Sequence, residues 1–339
     1  MKRKIGIRDV AKAANVGTGT VSRVLNNHPA VSLEARARIL SVMAELGYEP
    51  DSIAKSMRSS SSKTLGIVIP AITNPFFAEL VEALEIEARK RDFHVYLMIS
   101  HEDDAIELEC IASLTRRKVD GIVLVPHMHG PKSLGDLKTP VVVVDRVPEG
   151  VPGVSSDHFE GARMAVEYLR SLGHEYIACI AGPPDALPAQ ERLEGYLAIM
   201  EPRLEALGYS RDDYMSAGPF TVESGSAGFR QLIEQRDKFP VTAIFACSDQ
   251  QAIGALRAAS DLGLKVPEEL SIMGYDGIPL SDLVKPRLST VAQPVPEIAE
   301  AAVNRILSSD NSLWRERDRL PCRLVVRESC APPQKPHAS

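Results

Sequence analysis

Ten residues between positions 74 and 293 carry side chains suited to holding a small hydroxyl-rich molecule: Asn74, Phe76, Phe77, Asp145, Arg146, Arg192, Phe220, Ser248, Asp276 and Gln293. Ring faces pack against the C–H faces of a sugar, while carboxylates, guanidinium groups, amides and hydroxyls answer its hydroxyls, which both donate and accept. Each charge-assisted hydrogen bond of this kind contributes about 1.5–3 kcal/mol. Any one of these residues taken alone is better explained as a turn residue or a surface ion pair. The argument rests on recurrence, because nearly all of them fall where an apolar run ends: Asn74-Pro75-Phe76-Phe77, Asp145-Arg146, Ser248-Asp249, Tyr275-Asp276-Gly277 and Gln293.

A second cluster lies at the N-terminus. Ile7, Val10, Ala11 and Ala14 repeat at i, i+3, i+4 and i+7, one buried face of a helix. After the break Asn15-Val16-Gly17, a second apolar face is formed by Val21, Val24 and Leu25. The opposite stripe holds Thr18, Gly19, Ser22, Arg23 and Asn26. Two short helices joined by a tight turn, the second with a polar outer stripe, make a helix-turn-helix whose second helix fits the DNA major groove. The pattern fits a small helical bundle with a solvated face equally well.

The elements that must position these residues can be read from periodicity. Ser32 caps a third helix with Ala35, Ile39, Met43 and Leu46 on its buried stripe, and Gly47 ends it. Residues 51–58 have room for two marginal helical turns, and Ser59 to Ser62 form a linker. From Thr64 onward, Val/Ile/Leu runs at 65–69, 95–99, 121–125 and 141–144 alternate with helix-period stretches near 76–91 and 103–117. A second series has strands at 176–180, 243–246 and 270–274, with helices near 158–172, 189–207, 222–235 and 250–262. Continuous apolar strands separated by helices predict parallel sheets covered on both faces. Two such series predict an α/β chain with two doubly wound lobes, whose ligand sits beyond the carboxyl ends of the strands in the cleft between them.

Charge is unevenly distributed. Residues 1–60 carry 10 Lys/Arg against 5 Asp/Glu, and the remainder carries 29 against 40, giving a basic head on an acidic body. That asymmetry suits nucleic-acid binding by the head. Five scattered cysteines (Cys110, Cys179, Cys247, Cys322, Cys330) predict reduced thiols in a cytoplasmic protein. No run approaches the roughly 18 apolar residues of a membrane span, and no signal peptide is expected. Other motifs are set aside. Gly17-Thr18-Gly19 is not a dinucleotide fingerprint, and no phosphate loop is seen. His127-Met128-His129 reads as a surface loop rather than a metal pair, and Asp157-His158 is not part of a nucleophilic triad. Trp314 to Arg319 reads as a solvated connection and Ala331 to Ser339 as a frayed tail. No catalytic residues, metal ligands or cofactor are expected.

The segment Asp9-Val10-Ala11, Ala14, Val16 and Thr20-Val21-Ser22-Arg23-Val24-Leu25-Asn26 resembles the DNA-binding signature of the lactose-repressor (LacI/GalR) family. It departs at Gly17, where that family usually has a capping Ser, at a cost of a few tenths of a kcal/mol. It departs again at Gly19, usually a base-reading position. The resemblance implies base contacts from Thr18, Ser22 and Arg23, phosphate contacts from Thr20 and Asn26, and a hinge helix that contacts DNA through Ala54 and Met57, with Met57 wedging into the minor groove. The body resembles the periplasmic sugar-binding-protein core of the same family, with Gly263-Leu264-Lys265-Val266-Pro267 and Pro286 to Val291 as characteristic phrases.

By that resemblance a pentose lies between Phe76, Phe77 and Phe220, with its hydroxyls at Asn74, Asp145, Arg146, Arg192, Asp276 and Gln293. Ser248 stands where ribose binders usually have Asn. The implied protein is a homodimeric transcriptional regulator, a repressor switched allosterically by a small sugar, with ribose the first candidate. Its partners are double-stranded operator DNA and the effector, with no membrane. The implied division is a head at 1–50, a hinge and linker at 51–63 and a core at 64–339. Within the core, the N-lobe spans about 64–156 and 294–320 and the C-lobe about 157–293 and 321–330. A purine-responsive regulator of the same architecture stays open, as does a sugar-binding protein without a transcriptional role, although the latter should lack the basic head.

Overall fold

The computed structural model describes residues 5–25, 28–48, 61–127, 137–308 and 317–334. The chain divides into two compact units, Met1–Lys63 and Thr64–Ser339.

The first unit holds α1 (Ile7–Ala13), α2 (Thr18–Leu25) and α3 (Leu33–Leu46). Val10, Ala14, Val21, Val24 and Ile39 meet in one small core, so both apolar faces read from the sequence are buried. Asp9 reaches back to accept the Gly6 N–H at 2.9 Å, which satisfies a donor the first turn of α1 leaves without a partner. Asn15 adopts a left-handed backbone (φ 53°) in the turn to α2. Ser32 caps α3 by accepting from the Ala35 N–H at 3.3 Å, and Gly47 terminates it at φ 60°, a conformation that favours glycine. The hinge expectation at 51–58, including Ala54 and Met57, lies outside the described residues, as does Asn26.

The second unit contains two six-stranded sheets. The first is built from β1 (Thr64–Ile69), β2 (His94–Ile99), β3 (Gly121–Leu124), β4 (Val141–Val144), β5 (Gly153–Ser156) and β11 (Arg317–Leu320). Its order is β11-β5-β4-β3-β1-β2, and every pair is parallel. The second is built from β6 (Ile177–Ala181), β7 (Met215–Ala217), β8 (Ala243–Ala246), β9 (Ser271–Asp276), β10 (Ser289–Ala292) and β12 (Arg323–Val325). Its order is β12-β10-β9-β8-β6-β7, parallel except for the β10–β12 pair.

Helices α4 (Pro75–Arg89), α5 (Asp104–Arg116) and α12 (Val295–Leu307) belong to the first lobe. Ile298, Ala299, Ala302 and Val303 of α12 share one core with Leu80 and Leu84 of α4 and with β1, β3 and β4. Helices α6 (His158–Ser171), α7 (Leu187–Ala206), α8 (Arg211–Tyr214), α9 (Val222–Glu234), α10 (Asp249–Asp261) and α11 (Leu280–Leu283) follow in the second lobe. Among the described residues the chain crosses between lobes three times: from β5 into α6, from β10 into α12, and from β11 into β12. Helices α9 and α10 run so close that a Cβ on Gly225 would lie 2.0 Å from the Gln251 carbonyl oxygen, and one on Gly254 would lie 2.0 Å from that of Val222.

Two expectations are corrected. Arg317 to Arg319, read as part of a solvated connection, lie in strand β11, which pairs with β5 along its whole length. Its charged side chains are compatible with a strand because it occupies a sheet edge. Ala331, read as the start of a frayed tail, is anchored: its N–H donates to Ser271 Oγ at 3.0 Å and its carbonyl lies 2.9 Å from His174 Nε2.

Candidate functional site

The polar residues of interest stand at strand ends and helix starts of the second unit, and local geometry accounts for each. Asn74 is the N-cap of α4, its Oδ1 accepting from the Phe76 N–H at 3.1 Å, so its amide nitrogen is not used by the cap. The cap fixes the first turn, where the Phe76 and Phe77 rings lie 5.4 Å apart. Past β4, Asp145 adopts a left-handed backbone (φ 65°). Arg146 is anchored by donating to the His127 carbonyl at 2.6 Å, with its guanidinium 5.6 Å from the Phe77 ring centre.

From the other lobe, α7 carries Arg192, which donates to the Cys247 carbonyl at 2.7 Å and lies 3.0 Å from Asp276 Oδ1. The guanidinium is stacked 3.9 Å from the centre of the Tyr275 ring and 5.5 Å from that of Phe220. Phe220 is itself packed against Gly182, where a Cβ would come within 2.3 Å of its ring. Asp276, at the end of β9, has φ 118°, a conformation that costs a non-glycine residue about 1–3 kcal/mol and clusters at functional sites. Gln293 follows β10 and joins the lobes: its Nε2 donates to Asp276 at 2.8 Å, and its Oε1 accepts from Ser156 Oγ at 2.7 Å. Ser248 is engaged locally. Its hydroxyl caps α10, accepting from the Gln251 N–H at 3.2 Å and donating to Gln251 Oε1 at 3.3 Å.

Sequence reasoning missed several participants. Asp249 is fully buried and accepts four hydrogen bonds, from the N–H groups of Gly277 and Ile278 and the hydroxyls of Ser281 and Thr290, at 2.6–2.9 Å. It therefore pins the turn that displays Asp276. Tyr275 supplies the face beneath Arg192. His158 lies between Arg192, Tyr275 and Asp145 at 3.4–3.5 Å. Glu191, next to Arg192, takes both terminal nitrogens of Arg317 at 2.8 and 3.0 Å and ties α7 to β11 of the other sheet. The Asp157-His158 dipeptide was visible in the sequence, but nothing in its local pattern points to a cleft.

Electrostatics separate the three carboxylates. Burial opposes ionisation of Asp145, but His158, Arg192 and Arg146 outweigh it and hold its carboxyl below the ordinary value. Burial raises Asp276 despite Arg192 and Gln293. Burial, then the Asp276 charge, push Asp249 up to about 7 against its hydrogen bonds. Burial also opposes the Arg192 charge, but Asp276 and its other neighbours keep it cationic. Carboxylates, the Arg146 and Arg192 guanidinium groups, an amide and rings thus converge where the polar side chains are largely buried, an environment in which satisfied polar contacts are strong. Among the described residues no group of three or more metal-ligating side chains comes together.

In the first unit, Thr18, Gly19 and Arg23 are exposed on α2, Thr20 and Ser22 are half-buried, and Val21 and Val24 face inward. The outer stripe is available to a duplex. None of the described helices is long and apolar enough to cross a membrane.

A helix-turn-helix unit joined to a two-lobed α/β core with a polar interior cluster defines the class of DNA-binding regulators with a ligand-binding core. Residues 6–51 match "Bacterial regulatory proteins, lacI family", and residues 166–330 match "Periplasmic binding protein-like domain". The ribose operon repressor of Halalkalibacterium halodurans is 36% identical over 95% of this chain and 96% of its own length. The HTH-type transcriptional repressor CytR of Escherichia coli is 34% identical over 95% of both. Among solved structures, the Lac repressor bound to ONPG in its repressed state aligns with a TM-score of 0.84 at 25% identity, over 96% of this chain and all of the other. A LacI family regulator from Enterococcus faecium with bound ribose aligns at 0.67 and 29% identity, over 80% of this chain and all of that one. The chain belongs to the lacI family of bacterial regulatory proteins.

Proposed function

We propose that this protein is a transcriptional repressor that binds operator DNA as a homodimer in the bacterial cytoplasm and that a small sugar in the inter-lobe cleft, D-ribose first among candidates, switches its operator affinity. The carrying observation is the buried cluster of Asp145, Arg146, Arg192, Asp276 and Gln293, flanked by Phe76, Phe77 and Phe220. Its side chains offer donors, acceptors and ring faces together, which is what a pentose requires. Asn74 adds an amide, and Ser248 acts through the cap of α10. The similarity to a ribose operon repressor and to a ribose-bound regulator supports the choice of sugar.

In the division of labour, residues 1–50 read DNA, 51–63 form the hinge and linker, and 64–339 bind effector and pair two subunits. The N-lobe comprises about 64–156 and 294–320 and the C-lobe about 157–293 and 321–330. Thr18, Ser22 and Arg23 read bases, Thr20 and Asn26 hold phosphates, and Ala54 and Met57 act from the hinge. A purine effector is the second reading. Arg192 stacked on Tyr275 offers a flat cationic face, and the PurR repressor of Haemophilus influenzae is 31% identical over 95% of this chain.

Calorimetric titration with D-ribose, other pentoses, hexoses and hypoxanthine tests the proposal. The expected result is saturable one-site ribose binding that is lost in Arg192→Ala. Hypoxanthine binding without any sugar binding would favour the second reading. Failure of every compound to bind would overturn the cleft as an effector site.

A further inference from the structure

His158 opens α6 immediately after the first crossing between lobes, and its side chain is wholly buried. Arg192 Nε donates to His158 Nδ1 at 3.4 Å, and the Tyr275 hydroxyl lies 3.5 Å from the same nitrogen. An arginine nitrogen can only donate, so Nδ1 is the acceptor and the ring proton sits on Nε2. That Nε2–H faces Asp145 Oδ1 across 3.4 Å, and neither atom makes a hydrogen bond although both are buried. A buried donor and a buried acceptor that face one another unpaired are costly, and at a binding site such a pair marks where a ligand atom belongs.

We infer that His158 is a specificity-determining effector contact, holding with Asp145 a single hydroxyl that accepts from His158 Nε2–H and donates to Asp145 Oδ1. This rests on the reading that the effector is a polyol bound in the cleft. One oxygen at ordinary hydrogen-bond distance from both atoms closes a triangle on their 3.4 Å base. The pair selects for hydroxyl at that position. An ether or carbonyl oxygen accepts but cannot donate to Asp145. An ammonium group donates but cannot accept from His158. A hydroxyl does both through one atom. The contact also joins lobes: Asp145 directly follows β4 of the first sheet, whereas His158 is locked to Arg192 and Tyr275 beside the second. A hydroxyl bridging them favours one lobe arrangement.

The test is calorimetry on the full chain with whichever sugar of the panel binds, D-ribose first, and with each of its monodeoxy analogues. Three proteins are compared: the unmodified chain, His158→Phe, which keeps ring volume without the nitrogens, and His158→Gln, which keeps a donor and an acceptor. Thermal unfolding checks that each variant is folded. The expected result is an affinity loss of about 10- to 100-fold in His158→Phe and substantial recovery in His158→Gln. One deoxy analogue should bind the unmodified chain and His158→Phe within a fewfold of each other, because the hydroxyl that His158 reads is already gone. Sugar binding unchanged in His158→Phe, or additive losses for every deoxy analogue, would overturn the contact while leaving the sugar cleft standing. No sugar binding by the unmodified chain would overturn both.

Discussion

At the scale of single residues, the site combines side-chain chemistry with backbone conformations that most residues avoid. Asp145 and Asp276, two carboxylates whose charges act on Arg192, both have positive φ. Such strain persists only where the surroundings over-determine it, and around Asp276 those surroundings are Asp249, Arg192 and Gln293. The consequence is a separable effect on stability and binding. Asp276→Gly and Asp276→Ala should both abolish effector binding, because both remove the Arg192 partner. Glycine relieves the strain that alanine retains, so the glycine variant should be the more stable by about 1 kcal/mol or more. Equal thermal stability of the two variants would show that the backbone at 276 carries no strain.

Most of the residues the structure brings together in the candidate site were legible at this scale, because carboxylates, arginines and rings at strand ends are visible as a pattern. His158, Tyr275 and Asp249 were not singled out for the cleft. Their roles depend on which lobe surface faces them after folding, and no local periodicity encodes that. Ser248 shows the converse: its position suggested a ligand contact, and its hydroxyl is engaged by its own helix.

At the scale of elements, the apolar runs identified the central strands, while the segments that join the lobes were silent. β5 reads Gly-Val-Ser-Ser and β10 reads Ser-Thr-Val-Ala, too short and polar to stand out, yet all eight residues are buried. Gly153 is needed because a Cβ there would meet the Val143 carbonyl oxygen at 2.5 Å. β11 looked solvated because its charges serve an edge: Arg317 and Arg319 converge on Glu191.

The C-terminal segment is held by a buried histidine. His174 Nδ1 lies 3.0 Å from Thr242 Oγ1, and Nε2 lies 2.9 Å from the Ala331 carbonyl. Burial lowers its basicity below the ordinary 6.5. The unfolded chain therefore takes up a proton at a higher pH than the folded chain does. The stability His174 provides is present in full above about 6.5 and is lost as pH falls through its lower folded value. Thermal unfolding of the unmodified protein and His174→Gln should differ most at neutral pH and differ less as the pH is taken down from about 6.5. A difference constant across that range would contradict the clamp.

At the scale of the whole molecule, the central claim is a coupling between sugar and operator. A ligand shifts an equilibrium only by its differential affinity for the two states, and the coupling must be reciprocal. Three chain crossings, the Ser156–Gln293–Asp276 chain and the Glu191–Arg317 pair tie lobe geometry to the residues proposed to contact the sugar. This gives the core a physical route by which ligand and lobe arrangement are linked.

The most direct test is the binding of the full chain to an operator duplex selected from a random pool, measured with and without saturating D-ribose, alongside ribose affinity measured with and without that duplex. The account predicts a shift of roughly 5- to 150-fold in operator affinity, an equal factor in ribose affinity, and loss of both shifts in Arg192→Ala. Operator affinity that is the same with and without bound ribose would contradict it.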